Sequence, residues 1–134
     1  RPKDGIVVRI TPLNHTNGAT GYRIEYDGRS ICYITDTEHF PDRLNQDIVD
    51  LIKETDIFIY DCTYTDDEYP DHVDWGHSTW QEGVKLAAEA DAKTFVVFHH
   101  NPDHDDDAMD SIAASVMAAR PGSVVAREGM ILCP

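Results

Sequence analysis

Apolar and polar residues alternate along the chain in a pattern that predicts strands and helices in turn. Residues 21–26 and 30–35 are strand-like and flank Asp27-Gly28, and such a pair between two strand-like runs indicates a hairpin. Other short apolar runs, rich in branched and aromatic residues, predict further strands. These runs are 6–10, 57–60 and 94–98, with 123–126 and 130–132 expected to pair as a small hairpin that closes the chain.

Three segments show the spacing of amphipathic helices. Pro41 is expected to open the first helix, because proline suits the first helical turn. Ser78 is predicted to cap the second helix in a capping box with Gln81, and this helix should run to about Ala90. The third helix is expected to start within the acidic cluster 105–107, whose charge complements the helix dipole.

The predicted elements define an α/β fold in which one face of the sheet lacks a covering layer. Strands 57–60 and 95–98 are apolar on both faces, so the sheet should be buried on both sides. The three helices can cover only one face. We therefore expect the other face to pack against a second sheet, from a missing segment or a second copy of the chain. Residues 1–134 show no linker or repeat and are predicted to form a single unit.

Charge and composition narrow the possible partners. Acidic residues outnumber basic ones 25 to 11, for a net charge of −14, which repels phosphate backbones and argues against a broad nucleic-acid surface. No apolar run approaches the length of about 20 residues that spans a bilayer, so no membrane contact is expected. Cys32 and Cys62 lie in strand-like runs and are predicted to be buried thiols in a reducing, cytoplasmic compartment. Because the chain begins at Arg1, we expect it to be a fragment or a processed product.

Five chemically capable side chains follow or precede strand-like runs, the positions where α/β proteins usually build their sites. Taken singly, each has a structural explanation as a cap, a turn residue or a core histidine. Taken together, His15, Asp36 and His99 are suitable ligands for Zn²⁺, Mn²⁺ or Fe²⁺, and the carboxylate could bridge two ions. Asp61 could orient His77, which could protonate a leaving group.

The order of five short motifs resembles the second half of metallo-β-lactamase-fold hydrolases, in their phosphodiesterase-like branch. This branch includes the tRNA 3′-end-processing endonucleases (RNase Z) and the cyclic phosphodiesterases of phosphonate breakdown. Each motif is weak alone, but the shared order is specific and extends over nearly the whole chain. The motifs are Gly-Tyr-Arg-Ile-Glu at 21–25, Tyr-Ile-Thr-Asp-Thr at 33–37, Tyr-Asp-Cys-Thr-Tyr at 60–64, Gly-His-Ser-Thr at 76–79 and His-His-Asn-Pro at 99–102.

The resemblance implies a fold and a site. The fold is an αββα sandwich of two similar halves, of which this chain would supply the C-terminal half, with a mixed sheet and about three helices on one face. The site holds two divalent ions, Zn²⁺ or Mn²⁺ with Fe²⁺ possible. His15 matches a ligand of the first ion, Asp36 the bridging carboxylate and His99 a ligand of the second ion. His77 matches the catalytic histidine, and Asp61 the acidic residue that supports it.

The sequence departs from the family pattern in one respect, since the signature His-x-His-x-Asp-His is not found in it. Three ligands cannot fill two metal shells, so a complete site would need the missing N-terminal half or a partner copy. We expect the full-length parent to hydrolyse a small phosphodiester or cyclic phosphate. One alternative is a non-catalytic module that associates through its open sheet face, and another is thioester hydrolysis or di-iron oxidoreduction on the same fold.

Overall fold

One mixed sheet of six strands organises the computed structural model, which describes residues 4–134. The strands lie in the sheet in the order in which they occur along the chain. The first strand pairs antiparallel with the second and the second with the third, whereas the third to the sixth run parallel to one another. The predicted α/β class with a mixed sheet is confirmed. The strands are β1 (Val7–Leu13), β2 (Ala19–Tyr26), β3 (Arg29–Ile34), β4 (Ile57–Asp61), β5 (Thr94–Phe98) and β6 (Val124–Val125).

Three helices cover one face of this sheet, as predicted. They are α1 (Gln46–Ile52), α2 (Trp80–Glu89) and α3 (Asp106–Ala119), and a short 3₁₀ turn spans Tyr69–Asp71. Side chains from all three helices join those of the sheet in one apolar core, which includes Ile48, Leu86 and Val116. None of the helices within residues 4–134 is long and apolar enough to cross a membrane.

Two predicted helix starts are wrong. The first helix begins at Gln46 rather than after Pro41, because the side chain of Asn45 accepts hydrogen bonds from the free N–H groups of the first turn. The second helix is capped by Thr79, whose hydroxyl accepts from the backbone N–H of Glu82. Ser78 lies one residue too early, and its hydroxyl is bonded to other side chains. The third helix starts as predicted, with Asp105 as its cap.

The predicted closing hairpin is also wrong. β6 pairs in parallel with β5, with Val124 opposite Val96. The pairing is parallel because α3 crosses over between the two strands and returns the chain to the end of the sheet at which β5 begins. Residues 130–132 form no strand. Instead, Met130 and Leu132 line a cavity of about 360 Å³ on the sheet face that the helices leave open. The C-terminal segment therefore flanks part of this face.

The rest of the open face is apolar and exposed to solvent. Val8, Ile10, Tyr22, Ile24 and Tyr33 are each between 40% and 66% exposed. The strand register places them side by side, with Ile10 opposite Tyr22, Val8 opposite Ile24 and Tyr22 opposite Tyr33. The expectation that the chain's own helices leave one sheet face uncovered is thus met on the β1–β3 side.

A buried carboxylate stabilises the end of the sheet opposite to the predicted site. Asp56 accepts the backbone N–H of Ser30 at 2.8 Å and the ammonium of Lys93 at 2.7 Å, and Arg29 lies 3.5 Å away. The hydrogen bond from Lys93, together with the Ser30 N–H, lowers the pKa of Asp56 to about 2. Asp56 therefore joins the start of β3 to the start of β4.

Replacing Asp56 with asparagine should destabilise the fold in a pH-dependent way. The pKa of Asp56 is lower in the folded than in the unfolded chain, so its charge stabilises the fold above about pH 4, and this contribution is lost as the pH falls through about 2. We expect a loss of about 1–2 kcal/mol at pH 7. Urea denaturation at pH 7, 5 and 3 measures the difference, which should shrink at pH 3. A constant difference would contradict an ionic contribution.

Candidate metal centre

The ends of three adjacent parallel strands bring the predicted site residues to one edge of the sheet. Asp61 is the last residue of β4, while Asp36 and His99 follow β3 and β5 by one or two residues. Asp36 and His99 both have a φ of 61°, a left-handed conformation that ordinary residues rarely adopt. Such strained positions cluster at functional sites, where the surrounding structure enforces them. The sharp turns aim both side chains along the sheet edge.

Asp36, His77 and His99 form a group that could hold a metal ion. One ligand atom from each lies within 4.8 Å of the others. The Nε2 atom of His99 is 3.8 Å from a carboxylate oxygen of Asp36, and the rings of His77 and His99 are 5.0 Å apart. Two imidazoles and a carboxylate suit Zn²⁺, Mn²⁺ or Fe²⁺. The structure thus joins Asp36 and His99 as the sequence predicts, and adds His77, for which a catalytic role is predicted.

His15 lies beside this group without belonging to it. Its ring is 6.1 Å from that of His77. The turn that carries His15 is held by Asn14, whose backbone and side chain both bond to the backbone of Glu38. Gly76 packs against the His15 ring, and a Cβ atom there would lie 2.6 Å from the ring. With its φ of 86°, position 76 is a place where only glycine fits without displacing His15.

The carboxylate of Asp61 connects the three loops around the site. Asp61 is fully buried, so its oxygens must be satisfied by donors from the protein. It accepts hydrogen bonds from each neighbouring loop. Its donors are the backbone N–H groups of Asp36 (2.9 Å), Thr37 (3.2 Å), Thr63 (3.3 Å) and Ser78 (3.4 Å), the hydroxyl of Thr63 (2.8 Å) and Nδ1 of His77 (2.9 Å).

This arrangement sets the protonation of the site. Burial alone would raise the pKa of Asp61, but the hydrogen bond from His77 and the interaction with the nearby His99 ring outweigh it and hold that pKa well below the ordinary range. Ionised Asp61 accepts from Nδ1 of His77, which leaves Nε2 of that ring free for a metal or a substrate. The interaction with Asp61 also raises the pKa of His99, an effect that burial opposes.

Thr63 links Asp61 to His99. Its hydroxyl oxygen lies 2.8 Å from Asp61, 2.9 Å from the carbonyl oxygen of His99 and 3.1 Å from Nδ1 of His99. Sequence reasoning did not assign this role to Thr63, although the residue lies within the Asp-Cys-Thr motif. The hydroxyl fixes the direction of the His99 ring and leaves Nε2 facing Asp36.

Glu38 is a second residue that sequence reasoning missed. Its buried carboxylate accepts the hydroxyl of Tyr69 at 2.6 Å and the backbone N–H groups of Asp74 at 2.8 Å and Gly76 at 3.0 Å. Burial alone would raise the pKa of Glu38, but these hydrogen bonds lower it. Glu38 therefore holds the loop that ends in His77. In the sequence, the one clue to its role was its position two residues after Asp36.

The comparisons with known proteins identify the family. The profile of the beta-lactamase superfamily domain matches residues 2–100. The chain belongs to this superfamily, and it shares the metallo-β-lactamase fold with solved structures.

Several curated relatives are named Ribonuclease Z. The protein from Kineococcus radiotolerans is 28% identical over 96 residues, which cover 72% of this chain and 28% of the relative. The protein from Saccharolobus solfataricus is 32% identical over 85 residues, covering 63% and 27%. The Bacillus subtilis protein is 25% identical over 124 residues, covering 92% and 39%. The chain thus spans less than half the length of these relatives.

Solved structures share the fold. The metallo-beta-lactamase fold protein YhfI of Bacillus subtilis aligns with a TM-score of 0.75 at 18% identity, covering 97% of this chain and 50% of the other. The short form of human tRNase Z aligns with a TM-score of 0.72 at 22% identity, covering 99% and 44%. A diphosphatase of the PhnP family gives 0.67 at 20% identity, covering 97% and 44%.

Replacing Asp61 with asparagine should destabilise the fold and disorder the site. The asparagine amide has the shape of the carboxylate but replaces one of its oxygens with an NH₂ group. The protein donors that point at that oxygen would then face another donor. We expect a loss of about 2–4 kcal/mol in the free energy of unfolding. Urea denaturation measures this loss.

The matched control is Asp67→Asn, since Asp67 is exposed. That change should stay within about 0.5 kcal/mol of the unmodified chain. Equal effects of the two substitutions would rule out a central role for Asp61.

Proposed function

We propose that this chain carries part of the active site of a metal-dependent hydrolase that acts on phosphodiester bonds. The observation that carries the proposal is the group of Asp36, His77 and His99 beside the ionised, buried Asp61. The family supports it, and several relatives bear the name Ribonuclease Z.

In this proposal the residues divide the work. Asp36, His99 and His15 bind Zn²⁺ or Mn²⁺, with Fe²⁺ possible, and a bound divalent ion would make a water more acidic and neutralise charge on a phosphoryl oxygen. His77 binds its proton at Nε2 and transfers it to the leaving oxygen. Asp61 holds Nδ1 of His77 at 2.9 Å and stabilises the charged ring.

The three ligands from this chain do not fill two metal shells. The carboxylate of Asp36 is 48% exposed and the ring of His99 is 36% exposed, so both can accept an ion shared with further ligands. We propose that a second set of ligands, from another segment or a second copy, completes a site for two ions. The parent protein's substrate in this proposal is a small phosphodiester or a cyclic phosphate, since a net charge of −14 repels long polyanions.

Substitution of the four candidate side chains separates ligands from the catalytic histidine. His15→Ala, Asp36→Ala and His99→Ala should each lower the metal bound per chain, because each removes a direct ligand. His77→Ala should leave metal binding nearly intact and lower hydrolysis of bis(4-nitrophenyl) phosphate by about 100-fold or more. Elemental analysis of a size-exclusion peak for zinc, manganese and iron, followed by rate assays, measures both quantities.

His104→Ala is the control, because this histidine is bonded to Glu68 rather than to the metal group. Its metal content should be unchanged. Unaltered metal content in the His15, Asp36 and His99 variants would overturn the assignment of ligands. Loss of metal in His77→Ala would make this residue a ligand instead of an acid, and hydrolysis without added metal would overturn metal dependence.

The open sheet face supports a second function, as an interaction surface. We propose that a second apolar sheet, carried by another segment of a longer protein, packs on the exposed residues Val8, Ile10, Tyr22, Ile24 and Tyr33. Contiguous exposed apolar patches of this kind mark contact sites. The relatives support this occupant, since the chain covers 27% to 39% of their length.

A charge placed on this face should reduce self-association of the isolated chain. Ile10 and Ile24 are exposed and apolar, so their exposure to water favours contact with any similar surface. We expect the chain to form dimers or larger species at high concentration, and Ile10→Lys with Ile24→Lys to shift it towards the monomer. Light scattering on a size-exclusion column measures the mass.

The matched control is Ser111→Lys with Ser115→Lys, on the exposed side of α3. These changes add the same charge on the helical side and should leave the mass unchanged. A monomer at every concentration, with no binding of an apolar dye, would contradict the proposed surface.

A further inference from the structure

A cavity of about 430 Å³ adjoins the metal group on the side of the loop that precedes α2. His77 and His99 form one wall of it. Tyr64, His72 and Trp75 form an aromatic wall, and Asn101 and Asp103 also line the cavity. The cavity therefore connects the proposed reaction centre to a group of rings that the proposed chemistry does not use.

The rings in this wall form a continuous series that starts at the metal group. His77 meets Tyr64 edge to face at 6.4 Å, and Tyr64 stacks on His72 at 4.2 Å with an angle of 19°. Trp75 meets His72 at 5.0 Å and 83°. Tyr64 is buried, so it fixes the inner end of the series, and His72 is fixed by a bond from Nδ1 to the carbonyl oxygen of Glu68.

Trp75 stands at the outer end of the series and is 63% exposed. Tryptophan is highly buried on average, so a solvated indole at the mouth of a cavity is unusual. Its backbone N–H donates to the carbonyl oxygen of His72, which ties it to the rest of the wall. A large apolar ring that is held in place but left uncovered is suited to stacking against a planar ligand.

Charge limits what this cavity can bind. Among the described residues that line it, Asp103 is acidic and none is a lysine or arginine. A ligand with several negative charges would find no counter-charge there. The cavity suits a ligand whose only anionic group lies at the metal centre and whose remaining part is flat and uncharged.

We propose that this cavity is a substrate subsite that takes the planar aromatic or heteroaromatic group of a phosphoester, stacked on Trp75. The inference rests on the proposed function in placing the phosphoryl group at Asp36, His77 and His99. It deepens that function by naming the group next to the phosphate. Stacking of one base on an aromatic side chain corresponds to an affinity change of about fivefold or more.

Fluorescence of Trp75 tests the subsite without relying on activity. The chain contains two tryptophans, so Trp80→Phe leaves Trp75 as the only tryptophan. Adenosine and, in the presence of Zn²⁺, AMP should quench this emission in a saturable way, whereas ribose and ribose 5-phosphate should not. Excitation beyond the absorption of adenine avoids loss of light to the ligand.

Calorimetry on the otherwise unmodified chain gives the second measurement. Trp75→Leu should weaken the binding of AMP about fivefold or more and leave the affinity for ribose 5-phosphate unchanged. Trp75→Phe should restore part of the affinity, because phenylalanine keeps a smaller face for stacking. The control is Tyr26→Leu, which removes another exposed ring, on β2, and should leave AMP affinity unchanged.

The outcomes distinguish this inference from the proposed function. The subsite would be overturned if Trp75→Leu bound AMP as tightly as the unmodified chain and adenosine caused no quenching. If metal-dependent hydrolysis were observed alongside these two results, the proposed hydrolase function would still stand. Saturable quenching by adenosine in a chain that binds no metal would support the subsite and overturn the proposal that Asp36, His99 and His15 of this chain bind the ion.

Discussion

The geometry of the candidate site depends on one buried carboxylate, that of Asp61. An unpaired charge with no exposure to water would be too costly to keep, so its cost is offset only when several donors surround it. These donors come from the loops after β3 and β4 and from the loop before α2. Each donor is therefore held in place by the same charge that it stabilises. The position of His77, the paths of these loops and the ionised state of Asp61 therefore depend on the same set of hydrogen bonds.

This carboxylate explains how strained backbone persists next to it. Asp36 and His99 adopt left-handed φ angles that their side chains do not favour. The N–H of Asp36 is bonded to Asp61, and His99 is held through the hydroxyl of Thr63. Glu38 acts in parallel on the far side, where it binds the backbone of Gly76 and leaves room for His15. Two buried acids thus set opposite sides of one cluster.

Much of the fold follows from local patterns, and the exceptions are tertiary. The Asp27-Gly28 hairpin and the buried strands were predictable because each is determined by adjacent residues. Ser78 met every local requirement of a cap, yet its hydroxyl accepts a hydrogen bond from Tyr60 and Thr79 replaces it. The same holds in the site. Motif order pointed to Asp61, but the contact between Glu38 and Gly76 joins residues far apart in the chain, and no spacing in a single sequence reveals it.

The open sheet face and the candidate metal group share an edge of the sheet, so one explanation would be sufficient for both proposals. Tyr33 is exposed on the open face, and Asp36 follows it by three residues at the metal group. A second sheet packed on that face would bury the apolar residues, and the loops at its own strand ends would reach any ion bound at Asp36 and His99. Hydrophobic burial and metal coordination would then stabilise the same contact, so that binding metal and joining the two sheets become thermodynamically linked.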